Sequence, residues 1–450
     1  MRKKSISFFL ILTLFILPSF SQEKNWTLED CIAYAMENNI SIKQTELNTQ
    51  YNENILKQSK SARLPNLNAS ADYRYSFGRV LDQTAYEFKN EDQNYIGMNI
   101  SSSVTLFNGF QQKNTIEQNK LNLLASIEDV EKIKNDISLN IAAAYLQILF
   151  NEELYQVSQN QLEITDQQVE RTQKMVDAGK LAMGSALEIQ AQYASEELNV
   201  VNAENQLTLS YLNLQQMLDL PYDPGFKIDI PEILTPGDSL LVINVSEVYT
   251  IAESVMPQIS SAEYGLESSI MDLSIAKGMR YPSLSLSGNS RTDYSDLAPY
   301  PDPLEIGRKY TFAEQAKDNI SSGVGVGISI PIFNGNQVNT AISNARIGIE
   351  NSQLELQSAR NDLYRTIQQA YADALAALKK FESTEKALLS MQESFKYTEK
   401  KFEVGLVNTV DYNTSKNQLT FTQSELLQAK YDFIFKINVL NFYRGEPITI

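Results

Sequence analysis

The stretch that decides the fold covers residues 336–408 and reads NQVNTAISNARIGIENSQLELQSARNDLYRTIQQAYADALAALKKFESTEKALLSMQESFKYTEKKFEVGLVN. Up to Val404 it contains no proline, and Gly348 is its only glycine. Apolar residues recur in steps of three and four, interrupted only by Ser352, Thr384 and Thr398. This spacing is typical of the seam of a left-handed coiled coil. The stretch therefore predicts a helix of about 100 Å at about 1.5 Å per residue.

This long helix is predicted to be one arm of an antiparallel hairpin. The helical pattern breaks at Gly405-Leu406-Val407-Asn408 and resumes as far as Phe442. A glycine directly after a helix permits the left-handed turn that ends it. We therefore expect the chain to reverse direction at Gly405.

The same hairpin occurs a second time, earlier in the chain. Phe107-Asn108-Gly109 recurs as Phe333-Asn334-Gly335, 226 residues later, and Gly179 precedes Gly405 by the same 226 residues. The helices entering the two hairpins therefore have the same length. A period of this size is far longer than that of a solenoid repeat, so the sequence predicts two copies of one large unit.

The N-terminus has the pattern of an export signal. Arg2, Lys3 and Lys4 precede an apolar run from Ile6 to Leu17, and cleavage is expected before Gln22. The apolar run is too short for a convincing membrane anchor, and no run of about eighteen apolar residues follows it. Residues 1–21 are thus predicted to be a signal peptide.

Composition argues against several classes of function. The 450 residues carry a formal net charge of −17 and include no histidine and one cysteine, Cys31. The negative charge argues against nucleic-acid binding. Without histidine the commonest general base and metal ligand is missing, and no nucleophile elbow, phosphate loop or cysteine cluster is present. We therefore predict that the protein is not an enzyme and holds no cofactor or metal.

The remaining helices define the predicted domain boundaries. Residues 26–63 read as one amphipathic helix, and residues 246–277 as a second that Pro257 should kink or restart. Residues 221–245 are rich in proline and glycine and read as a linker that wraps the helices. The division is a first repeat at 22–220, this linker, and a second repeat at 246–450.

Between the short and long helices, each copy changes to a period of two residues. The four alternating segments are 67–77, 95–106, 284–294 and 323–330. Each has one apolar face and one small or polar face, which is the pattern of a transmembrane β-strand. Strands of a soluble sheet packed on a core would look similar. Export of the chain, together with aromatic residues at the loop-proximal strand ends, favours the membrane interpretation.

Four strands cannot close a barrel by themselves. In lipid, an open sheet edge would leave backbone groups unsatisfied at several kcal/mol each. The barrel must therefore be shared between chains. Two chains would give eight strands and a filled interior, and three would give twelve strands and room for water, which we favour.

This combination of features resembles the TolC family of outer-membrane efflux proteins. The resemblance rests on the signal peptide, the tandem repeat, the Leu-Pro and Phe-Asn-Gly motifs, and the Gly405 hairpin followed by Asp411, and it covers essentially the whole mature chain. It implies an α+β membrane protein: a trimer with a shared twelve-stranded β-barrel continued by a helical barrel into the periplasm. The implied partners are outer-membrane lipid, a periplasmic adaptor protein and an inner-membrane transporter.

The resemblance also implies a gate at the hairpin tips. Asp411 matches the family aspartate that forms a ring of three carboxylates, whereas the second aspartate of some members is Thr414 here. A polar latch of some members is replaced by Ser185, Phe402 and Val407, which favours an apolar closure. The structural alternative is that Asp411 only stabilises the start of its helix.

The hairpin turns themselves match the region that family adaptors contact, which here comprises Gly179, Gly184, Gly405 and Leu406. Glycine there would also be needed simply to form the turn. The resulting function is a passive conduit across the periplasm and outer membrane. The alternatives are the outlet of a type I protein secretion system and a secreted coiled-coil scaffold without a pore.

Overall fold

The computed structural model describes residues 25–82, 87–231, 244–302, 304–305 and 307–449. The predicted signal peptide lies outside these ranges, as does part of the predicted linker. The elements of the first half are, in chain order, β1 (Asn25–Trp26), α1 (Leu28–Asn38), α2 (Ile40–Ser61), β2 (Asn68–Ser76), β3 (Arg79–Asp82), β4 (Glu87–Asn90), β5 (Gln93–Asn108), α3 (Gln111–Asp177), α4 (Met183–Met217) and β6 (Lys227–Ile228). Those of the second half are α5 (Val245–Val255), α6 (Pro257–Gly278), β7 (Ser283–Ser295), α7 (Phe312–Asp318), β8 (Ser321–Ser329), α8 (Gln337–Glu403) and α9 (Thr409–Tyr443).

The two halves repeat one plan of short helices, two strands and a long helical hairpin. The descending arms α3 and α8 each have 67 residues, and the returning arms α4 and α9 each have 35. A helix of that length spans about 100 Å, so the predicted long hairpins are confirmed. Pro257 begins α6 after a break at Met256, as the sequence predicted.

The four predicted strands form one antiparallel sheet with the order β2–β5–β7–β8. The register places Tyr73, Ile96 and Tyr294 in one row across the sheet. On the same face, Val326 and Ile328 of β8 are 64% and 68% exposed. Within the described residues, β2 and β8 each pair along one side only. A single chain thus presents an uncovered apolar face and two open edges.

The predicted single helix over residues 26–63 is wrong, because Asn39 divides it into α1 and α2. Asn39 has an extended backbone, with φ −60° and ψ 131°, and its side-chain oxygen accepts hydrogen bonds from the amides of Ser41 and Ile42. Its side-chain nitrogen donates to the Met217 carbonyl at 3.2 Å, and the Ile40 amide donates to Asp219 at 3.0 Å. The chain bends there because the end of α4 supplies these partners.

The connections between the two strands of each repeat also contain regular structure. Residues 78–94 include the hairpin of β3 and β4, and residues 295–319 include α7. Helix α7 begins with a capping box in which Thr311 and Glu314 bind each other's backbone amides. Within the predicted linker, Lys227 and Ile228 form β6, which pairs in parallel with β1.

Helix α9 contributes to the two larger of the apolar cores that hold the helices together. Tyr431 and Ile434 of α9 pack with the middle of α3, α1 and the end of α4. Phe433, Ile437 and Leu440 of the same helix pack with α5, α6 and α8. Helix α9 therefore joins the second repeat to the first.

Candidate functional site

Each long hairpin turns at a glycine whose backbone is left-handed. Gly179 has φ 72° and Gly405 has φ 74°. The Leu406 amide donates to the Lys401 carbonyl at 2.8 Å, and the Gly405 amide donates to the Phe402 carbonyl at 3.0 Å. The first hairpin makes the same two bonds around its own glycine. This is the Schellman motif, which satisfies the last carbonyls of the helix and favours glycine at this position.

The other predicted tip residues have no such backbone requirement. Gly184 lies in the first turn of α4 with an ordinary helical backbone, and a Cβ added to it would meet no atom within 4 Å. Leu406 is 77% exposed. Glycine at 184 and leucine at 406 are therefore not explained by the folding of the chain as the structure describes it.

Asp411 lies on the exposed surface of the first turn of α9. Its amide donates to the side-chain oxygen of Asn408 at 2.8 Å, so Asn408 caps the helix. Thr414, one turn further, is also exposed, and its hydroxyl donates to the Val410 carbonyl at 2.8 Å. A carboxylate in this turn is favoured by the helix dipole, and its side chain is open to solvent.

Phe402 is placed differently, in the interior of its own hairpin. It is 8% exposed, and its ring stacks on Tyr412 with 4.6 Å between ring centroids. Tyr412 is itself 3% exposed, and burial raises the pKa of its hydroxyl to about 12. Val407 and Ser185 are half-buried. The structure thus brings Phe402 and Tyr412 together but separates them from the exposed pair of Asp411 and Thr414.

Sequence reasoning missed a buried ion pair above the tips. Lys416 of α9 and Glu196 of α4 are 2% and 4% exposed, and Lys416 Nζ lies 3.3 Å from Glu196 Oε1. Thr165 of α3, fully buried, accepts a hydrogen bond from Lys416 and donates one to Glu196. Burial lowers the pKa of Lys416, and the charge of Glu196 opposes this shift. The available signal was that Lys416 follows Thr409 and Tyr412 at helical spacing on the buried face of α9.

Three weaker contacts also connect the two hairpins. Arg171 binds Glu403 at 3.1 Å between exposed side chains near the tips. Gln192 donates to Asn417 at 2.8 Å beside the buried pair. Higher up, Glu153 accepts from Lys430 at 3.0 Å. An exposed ion pair such as Arg171–Glu403 contributes at most about 1 kcal/mol.

Metal-binding clusters and membrane-spanning helices are both absent from the residues that the structure describes. They contain no group of three or more histidine, cysteine, aspartate or glutamate side chains arranged to hold a metal ion. No helix in the described ranges is both long and apolar enough to cross a membrane.

Comparison with known proteins gives a consistent result. Residues 32–219 and 248–442 match the model of the family described as outer membrane efflux protein. The chain is 23% identical to the outer membrane protein TolC of Escherichia coli K12, over 98% of this chain and 85% of that protein. It is 19% identical to the outer membrane efflux protein BepC of Brucella suis, over 91% and 83% of the two chains.

Solved structures show the same fold. The outer membrane protein VceC of Vibrio cholerae superposes with a TM-score of 0.75 at 16% identity, covering 94% of this chain and 97% of that one. The CmeC outer membrane channel of Campylobacter jejuni gives 0.72 at 15% identity, covering 93% and 85%. Because the family model matches both repeats, this chain belongs to the outer membrane efflux protein family.

Proposed function

We propose that three copies of this chain form one passive conduit from the periplasm through the outer membrane. The observation that carries the proposal is the sheet β2–β5–β7–β8, which is apolar on one face and open at both edges. An edge in lipid leaves backbone groups unsatisfied at several kcal/mol each. Three chains joined edge to edge supply twelve strands and abolish the edges, and α3–α4 and α8–α9 extend the tube into the periplasm.

The opposite face of the sheet suits a water-filled lumen. One row across it consists of Ser103, Ser287 and Gly325, and the next of Thr105, Ser285 and Gly327. Small polar side chains leave space and offer hydrogen bonds to water. A secreted scaffold without a pore would leave this two-faced sheet without a role.

The domain division follows from the same design. We assign residues 22–220 and 246–450 to two copies of one unit, joined by the linker 221–245. Each copy supplies two of the four strands and one long hairpin. The equal lengths of the paired helices support this division.

The partners of the conduit are a periplasmic adaptor protein and an inner-membrane transporter that supplies the energy. We assign adaptor contact to the hairpin tips at Gly179, Gly184, Gly405 and Leu406. The exposure of Leu406 and the unconstrained backbone of Gly184 support this role.

We assign the gate to the tip of the second hairpin, with Asp411 as its charged group and Thr414 beside it. We assign the supporting role in closure to Phe402 and Val407 of the same hairpin and to Ser185 of the first hairpin, which are buried or half-buried. If three Asp411 carboxylates stood about 6 Å apart, each pair would repel by about 3 kcal/mol at an effective dielectric constant near 20. Such a ring attracts multivalent cations.

Planar-bilayer conductance of the purified protein tests this function. We expect low conductance in wild type, block by hexamminecobalt(III), and loss of that block in Asp411→Ala. Asp177→Ala is the matched control, because it removes one carboxylate from the tip of the other hairpin. A monomeric particle in mild detergent, or a block that survives in Asp411→Ala, would refute the trimer or the gate respectively.

A further inference from the structure

The contact between the two hairpins changes character along its length. In its upper part, Tyr145 and Leu149 of α3 share an apolar core with Tyr431 and Ile434 of α9. Phe150 adds an edge-to-face contact with Tyr431, with 6.3 Å between ring centroids. This upper part is largely apolar, so burial of its side chains holds one hairpin on the other.

The lower part of the same contact, which we call the polar seam, is built from different residues. Thr165, Gln168 and Thr172 share one face of α3, and Asn413 and Lys416 share one face of α9. Thr165 and Thr172 are fully buried. Within the described chain, the buried atoms Gln168 Nε2, Thr172 Oγ1 and Asn413 Oδ1 have no hydrogen-bond partner. Buried polar groups without partners destabilise the arrangement that buries them.

The polar seam also contains a charged contact, the Lys416–Glu196 pair, to which α4 contributes Glu196. Besides Glu196 and Thr165, the ammonium lies 3.4 Å from the Gln161 carbonyl. Glu196 also accepts from Gln192 at 2.9 Å, so both charges are well solvated by protein groups. Immediately above the pair, α3, α4 and α9 surround a cavity of about 280 Å³ lined by Ser158, Asn199 and other polar residues. The pair therefore lies between this cavity above it and the unpartnered buried polar atoms below it.

We propose that the buried Lys416–Glu196 pair, with Thr165, is the positioning contact that holds the lower second hairpin against the first and so keeps the tip closed. This inference rests on the proposed function as a gated conduit. Thr165 precedes the end of α3 by about 18 Å, so a small separation at the pair displaces the tip. The apolar upper contact remains as the pivot.

The pair can hold the hairpins together because removing one charge of a buried pair destabilises the protein much more than removing both. If one partner is removed, the other charge stays buried without compensation. Separation of the polar seam then admits water to that charge and to the three atoms that have no partner. If both charges are replaced by apolar side chains of similar volume, no charge is left behind and the seam can stay closed.

The test is bilayer conductance and melting temperature of the full-length protein in four forms: wild type, Lys416→Met, Glu196→Gln, and the double variant Lys416→Met/Glu196→Leu. We expect Lys416→Met to raise the open fraction at least about tenfold. We expect Glu196→Gln to raise it as well, and the double variant to return to within about threefold of wild type. Lys430→Met is the matched control, because Lys430 also connects the repeats through Glu153 but lies at the apolar upper contact. It should leave the open fraction unchanged.

The outcomes separate the inference from the proposed function. Single variants that melt lower but conduct like wild type would show that the pair is merely structural and would overturn the inference. Equal opening by Lys430→Met would also overturn it, because any inter-hairpin charge would then suffice. If folded wild type and all variants failed to conduct, the proposed function itself would fall and the inference with it.

Discussion

Replacing the tip glycines by alanine separates the needs of the backbone from contacts with a partner. Gly405 has φ 74° and Gly179 has φ 72°, a region where a Cβ costs about 1–2 kcal/mol. Gly184 is helical and open to solvent, where alanine favours the helix by up to about 1 kcal/mol. Gly405→Ala and Gly179→Ala should therefore destabilise their turns, whereas Gly184→Ala should not.

This free-energy cost converts directly into a change in the local opening equilibrium. The Leu406 amide is protected by its bond to the Lys401 carbonyl, and the Gly405 amide by its bond to Phe402. A cost of about 1–2 kcal/mol raises the opening equilibrium about fivefold to thirtyfold. Hydrogen–deuterium exchange of peptides covering residues 401–408 should show this increase in Gly405→Ala.

Gly184→Ala is the matched comparison, measured both by hydrogen–deuterium exchange and by capture of the native adaptor protein. It should leave exchange at its own tip unchanged or slower, while weakening capture of the native adaptor. Unaltered exchange in Gly405→Ala, or faster exchange in Gly184→Ala, would refute the backbone argument.

Three further predictions follow from the fold. Val326→Lys on the apolar face of edge strand β8 should cost about 2–4 kcal/mol in the membrane and reduce trimer recovered from outer-membrane fractions, whereas Gly325→Lys on the opposite face should be tolerated; equal loss in both would contradict the assignment of faces. Ile367→Ala, at a fully buried position in the second core, should lower stability by about 2–5 kcal/mol in a thermal melt in detergent, and the exposed Ile347→Ala should not. The raised pKa of Tyr412 means that the folded form keeps its proton while an unfolded tyrosine loses it above about pH 10, so this residue stabilises the fold below pH 10 and the contribution is lost as pH rises toward 12. Tyr412→Phe should therefore flatten the loss of stability between pH 10 and 12, and an unchanged profile would count against the burial argument.

The long hairpins and the four strands were predictable because their signals are local. A helix without proline that ends at a left-handed glycine needs no knowledge of its neighbours, and neither does a strand with a period of two. The break at Asn39 was not predictable in this way, since its partners Met217 and Asp219 lie far along the chain. The capping box of Thr311 and Glu314 was a readable local signal for α7 that sequence reasoning passed over.

The candidate site also combines features that local sequence predicts with features that depend on tertiary packing. The turns at Gly179 and Gly405 follow from sequence alone, but the burial of Phe402 against Tyr412 depends on how α8 packs on α9. The Lys416–Glu196 pair joins residues that are 220 positions apart in the sequence, and it forms only where α3, α4 and α9 pack together. A lysine at a buried helical position was visible in the sequence, but nothing local identified its partner.

The matched arm lengths constrain how this molecule can change its reach. Because 67-residue arms stand in both repeats, the two tips end at the same depth below the membrane. A coiled-coil seam keeps its twist unchanged when length is added in whole heptads, each worth about 10.5 Å, whereas insertions of three or four residues alter the twist locally. An insertion in one arm alone would place the two tips at different depths. Lengthening the tube evenly therefore requires matched insertions in all four arms, and its span across the periplasm would then increase in steps of one heptad.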